Sequence, residues 1–172
     1  MLINLISGLP RSPIKVDIQK FIEEEYETRL KSIMTSIDSK VEYEIKFVSS
    51  IKYSTCLAYN DGGWILIYKP YLEKYLSLLD TKKAQETFLL ILLTHELLHS
   101  IILRGSISKT EYEYTVNRYT KKIIESQFPS YSYKDLYTSV RRLRLKEDNP
   151  KHQAVKDIML FPIAEKEYWI NG

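Results

Sequence analysis

Two of the chain's three histidines stand four residues apart, His95 and His99, with Glu96 between them. On a helix that spacing is one turn, so both imidazoles point the same way, and Glu96 lies about 100° further round. Two imidazoles on one face can hold a zinc ion, and a neighbouring carboxylate can act on a water beside it. This is the mechanics of a His-Glu-x-x-His motif. The competing reading is a hydrogen-bonded polar patch in a helical core. Burying such groups without partners costs roughly 2–7 kcal/mol for even one neutral polar group, and a metal ion would supply the missing partner. Leu97, Leu98 and Ile101 are apolar and Ser100 is uncharged, which suits a motif set into a core.

Catalytic zinc ordinarily takes three protein ligands and leaves one position open. A metzincin would place its third histidine six residues after His99, where this chain has Gly105, and His152 is far downstream. Glu111 and Glu113 remain, both at the start of a helix expected over 109–127, with Pro129 beyond it. Ser108-Lys109-Thr110-Glu111 reads as a capping box, which gives Glu111 a structural job. Glu113 is therefore the preferred third ligand and Glu111 the alternative. Asn117, one turn on from Glu113, suits a hydrogen-bond partner for a ligating imidazole. Tyr112, Val116, Tyr119 and Ile123 form an apolar stripe at helical spacing.

His95-Glu96-x-x-His99, a short connection, and then Glu113-x-x-x-Asn117 in a second helix resembles the gluzincin clan of zinc metallopeptidases. Thermolysin-like members usually carry Asp where Asn117 stands, so an uncharged acceptor replaces a carboxylate here. The short chain and connection are similar to the minimal single-domain members, the minigluzincins, over roughly residues 40–127. The resemblance implies an α+β, zincin-like fold, with an N-terminal helix and a small sheet of about three strands packed on the metal helix. It also implies one zinc ion on His95, His99 and Glu113, with Glu96 as the catalytic base, and a peptide or protein substrate. Clan members use a downstream His or Tyr as oxyanion donor, and Tyr112, Tyr114, His152 and Tyr168 all stand open for that role. In such folds an extended substrate pairs with an edge strand above the metal. Residues 64–68, the last strand before the metal helix, are the candidate here, with a plain buried strand as the alternative that their unbroken apolar run also fits.

The elements that must position these groups can be read from period and punctuation. Ser12-Pro13 can open a helix of about 25 residues carrying Ile14, Ile18, Phe21, Ile22, Tyr26, Leu30, Ile33 and Ile37 at helical spacing. Glu23-Glu24-Glu25 is then a solvated face. From Val41 the period changes to two, through Tyr43, Ile45 and Phe47, which is a half-buried strand. Residues 51–59 read as a second strand, Asn60-Asp61-Gly62-Gly63 as a hairpin turn, and 64–68 as a third strand stopped at Lys69-Pro70. A short helix over about 71–79 leads to the metal helix, which Asp80 or Thr81 can cap and Gly105 can end. Ser132 can start a helix over 133–146, and Asn149-Pro150 another to about 161.

At 172 residues, 44% hydrophobic and 27% charged, the chain fits one domain with a proper core. Residues 1–104 would carry the helix, sheet and metal helix, and 105–172 the glutamate helix and the helical remainder. A net charge of +3 does not argue for nucleic acid. The basic cluster Arg141, Arg142, Arg144 and Lys146 could touch it, but a solvated helix face is the simpler reading. The single cysteine, Cys56, excludes an internal disulfide. The start, from Met1 to Gly8, lacks a positive segment, and no uncharged run reaches roughly 18 residues, so the expectation is a cytoplasmic chain without a membrane span. Two other classes compete with the peptidase: a catalytically silent, zinc-stabilised binding module, and a nucleic-acid-associated protein using 141–146. Intact Glu96 argues against the first, because structure alone would not need it. Finally, the tail, with Glu165, Glu167 and Tyr168-Trp169-Ile170, could reach back into its own cleft and inhibit it.

Overall fold

The computed structural model describes residues 11–36, 42–49, 58–61 and 63–146. The described residues form an α+β structure with five helices and one three-stranded sheet. The expected strand stretch 51–57, the expected helix after Asn149, His152 and the whole C-terminal tail with Tyr168 lie outside the described residues, as does any self-inhibition by that tail.

The first helix, α1, runs over 18–36, with a π-helical stretch Phe21–Glu27 between the α-helical pieces Ile18–Lys20 and Thr28–Ser36. It buries Phe21, Ile22, Tyr26, Leu30 and Ile33, as the spacing predicts. Its start differs from the sequence expectation. Asp17, not Ser12, is the cap, its side chain accepting from the Lys20 amide. The reason lies across the molecule, where Gln85 is fully buried. Its Oε1 accepts from the Lys15 and Val16 amides, and its Nε2 donates to the carbonyls of Pro13, Leu76 and Leu79. Residues 12–16 are thus held as a strap against the next layer and cannot begin the helix.

Strands β1 (Glu44–Val48), β2 (Ala58–Asp61) and β3 (Trp64–Tyr68) form a sheet in the order β1-β3-β2. β1 is parallel to β3 and β2 antiparallel to it. This corrects the expectation for 64–68. β3 is the central strand, paired on both sides, and its apolar run follows from that position, since Ile65 and Ile67 are fully buried. The register also narrows the hairpin. Asp61 pairs with Trp64 and Asn60 with Ile65, so both belong to β2 rather than to the turn. Gly63 has φ +100°, and a Cβ there would lie 2.9 Å from the Glu42 carbonyl oxygen, so both backbone and space demand glycine.

Helix α2 spans Lys69–Leu78, with Pro70 in its first turn, and α3 spans Lys82–Ile101. Thr81 caps α3 by accepting from the Ala84 amide. Asp80, the other candidate cap, instead accepts from Ser139 and pairs with Arg142. Every residue of α3 from Thr87 to Leu98 is buried, so this helix is the axis of the core. Helices α4 (Lys109–Gln127) and α5 (Tyr133–Lys146) and the sheet pack around it. α3 ends at Ile101, four residues before Gly105, because Ile102 is already extended and its carbonyl accepts from the Tyr112 hydroxyl. α4 carries the expected capping box, but its buried face is Val116, Asn117, Thr120 and Ile124, while Tyr119 is 48% exposed. Ser132 caps α5 through the Lys134 amide. No helix among the described residues is long and apolar enough to cross a membrane.

Candidate metal centre

The buried α3 emerges at its C-terminal end. Burial is complete at Leu98, partial at His99 and lost at Leu103. At that boundary His95 is 1% exposed and His99 half-buried, one turn apart on the face that meets α4. Their Nε2 atoms lie 3.1 Å from each other. From α4, Glu113 brings its Oε2 to 3.4 Å from the His95 Nε2 and 3.5 Å from the His99 Nε2. Among the described residues this is the one cluster of three side chains that could hold a metal ion.

The spacing fits the group it would hold. Donors about 2.0–2.2 Å from a tetrahedral ion stand roughly 3.3–3.6 Å from one another. The three separations of 3.1, 3.4 and 3.5 Å match that edge within a few tenths of an ångström. Glu113 Oε2 is buried between the two imidazole nitrogens, where a shared cation would suit all three atoms. Electrostatics agree. Burial, with the neighbouring His95 adding to it, lowers the His99 pKa to about 4, which favours the neutral imidazole that ligates. Burial alone would raise Glu113, but a hydrogen bond from His95 and the charges of both imidazoles and Lys109 outweigh it and hold the carboxyl below its usual range.

Glu96 is 6% exposed beside His95. Burial pushes its pKa up to about 7, with Glu113 adding to the rise while His95 and a backbone hydrogen bond from Asn60 oppose it. The two acidic candidates of α4 separate cleanly. Glu111 is exposed, and its carboxylate accepts from the Ser108 amide and hydroxyl at 3.2 and 3.1 Å, while Ser108 Oγ accepts from the Glu111 amide. Asn117 is buried one turn beyond Glu113. Of the four hydroxyl or imidazole donors expected, only two are described. Tyr112 has its hydroxyl committed to the Ile102 carbonyl at 2.8 Å and its ring 5.2 Å from that of His99. Tyr114 is 47% exposed. In the basic cluster, Arg142 is spent on Asp80 at 3.1 Å and Arg141 is exposed.

One participant escaped the sequence reading. Asn60, taken for a turn residue, donates from Nδ2 to the Glu96 carbonyl and to Ser100 Oγ. The signal was available. If Gly62-Gly63 is a two-residue turn, Asn60 falls opposite Ile65 on the apolar, inward face, where a polar side chain needs a partner.

No family model matches the chain, and no curated protein or solved structure matches it either.

Proposed function

We propose that this chain is a zinc-dependent metallopeptidase of the gluzincin kind. The observation that carries the reading is the convergence of His95 Nε2, His99 Nε2 and Glu113 Oε2 at 3.1–3.5 Å on the edge of a buried helix, with Glu96 buried beside them. Two nitrogens and one carboxylate oxygen are the donor set of catalytic zinc, and three ligands leave one position open. Zinc, when bound, would lower the pKa of a water in the open position to about 7 and polarise a peptide carbonyl.

The chain's own residues then have defined tasks. His95, on the buried side, and His99, toward the surface, fix the direction of approach, because burial falls from His99 onward. Glu113 closes the third side from a separate helix, so the centre exists only when α3 and α4 are packed. Glu96 accepts a proton at its carboxylate and returns it to the leaving amine. Asn117 would orient a ligating imidazole from behind. An extended peptide would run along β2, the edge strand among the described residues that touches the metal helix through Asn60. A zinc-stabilised module without activity would not need a carboxyl buried at Glu96, where ionisation is opposed by its surroundings.

The test is Glu96→Gln. The variant should fold and hold zinc like the parent but lose hydrolysis of an unstructured peptide by about a hundredfold or more, because an amide cannot accept the proton. Full activity in the zinc-loaded variant would overturn the mechanism.

A further inference from the structure

We propose that Asn60 is a positioning residue that ties the edge strand β2 to the turn of α3 carrying the catalytic carboxylate; this rests on the peptidase reading of Glu96. A primary amide has two N–H donors on one nitrogen. Both are used on a single turn of the helix, at the Glu96 carbonyl (3.0 Å) and at Ser100 Oγ (2.5 Å). Glu96 and Ser100 are four residues apart and bracket His99. The grip therefore falls on the segment between and just beyond the two imidazoles and on no other part of the twenty-residue helix. The backbone of the same residue also favours the ionised form of the Glu96 carboxyl.

The placement has a reason in the sheet. Asn60 pairs with Ile65 and shares with it the face turned toward α3, among buried apolar neighbours. A plain packing role at that position would be met by an aliphatic side chain, as Ile65 and Ile67 meet it on β3. An amide there is retained only if its donors are satisfied, and the acceptors satisfying them are on the metal helix. The consequence is coupling. A peptide adding to β2 pulls on the strand that holds Glu96, so the carboxylate is set in place by the element that receives the substrate. A general base must stand within about 2.6–3.2 Å of the proton it takes, and a displacement near 1 Å can cost on the order of a hundredfold in rate.

The experiment compares the parent with Asn60→Ala and Ser100→Ala, each loaded with zinc. Zinc affinity is measured by competition with a chromophoric chelator, and kcat and KM on an unstructured peptide. The carboxyl resonance of Glu96 is followed by carbon NMR, assigned by its loss in Glu96→Gln. Asn60→Ala is expected to bind zinc within a few-fold of the parent, to lose about tenfold or more in kcat with KM little changed, and to shift the Glu96 resonance. Ser100→Ala, which removes one acceptor and leaves the backbone contact, should move the same quantities in the same direction by less. If Asn60→Ala does not fold, Ser100→Ala carries the test alone. Unchanged kcat and an unchanged Glu96 resonance would overturn the proposal, as would a loss confined to zinc affinity. If the parent itself cleaves no peptide, the peptidase reading fails, and the Glu96 resonance still decides whether Asn60 holds that carboxyl.

Discussion

Glu111 and Glu113 differ by two positions and by everything that surrounds them. One closes a capping box in solvent; the other is drawn in between two imidazoles. Glu113→Ala should therefore abolish tight zinc binding while leaving the helix content near the parent's. Glu111→Ala should keep zinc and cost about 0.5–2 kcal/mol of stability, as other caps do. Isothermal titration with zinc and urea unfolding of both variants check this, and the reverse assignment of the two effects would show that the wrong glutamate has been named. At this scale the centre was legible because a helix converts sequence spacing into direction. His95 and His99 had to share a face wherever the helix sat. The capping box was local in the same sense. The Tyr112 hydroxyl was not, since its partner is the carbonyl that ends another helix. Nothing in the sequence near Tyr112 distinguishes a donor aimed at a substrate from one fastening two helices.

Among elements, helices were read closely and the sheet was not. α4 and α5 fall where caps and period place them, because each cap is made within its own segment. The order of strands depends on which chains meet, and an apolar run such as Trp64–Tyr68 suits a buried central strand as well as an edge. The displaced start of α1 has the same origin, a residue seventy positions away. Gln85 supplies that partner, and Gln85→Ala should be costly. It leaves the buried Leu79 carbonyl without its donor, takes from the Leu76 carbonyl the donor it has besides the Leu79 amide, and frees the Lys15 and Val16 amides, at about 1–3 kcal/mol for each buried group left unsatisfied. Denaturant unfolding should show a loss of several kcal/mol. A change below about 1 kcal/mol would mean that the strap over residues 12–16 contributes little.

Across the whole molecule, α3 is an apolar axis that reaches the surface at one end, and its other end is fastened by Asp80. Burial alone would raise that carboxyl, but hydrogen bonds from Ser139 and Arg142 and the Arg142 charge outweigh it and leave the pKa below its usual value. A carboxyl depressed on folding contributes stability above its unfolded pKa, and loses that contribution as pH falls through the folded value. The stability difference between the parent and Asp80→Asn should thus be constant near neutrality and shrink below about pH 4. A difference that grows on acidification would contradict the sign of the shift. At the far end of the same helix stands the centre on which the functional reading depends, and metal content tests it most directly. The parent and His95→Ala, purified identically and brought to equilibrium with excess zinc before desalting, should differ completely. The parent is expected to retain one zinc ion per chain and the variant none. A parent that retains no zinc, or a His95→Ala chain that retains as much, would contradict the account.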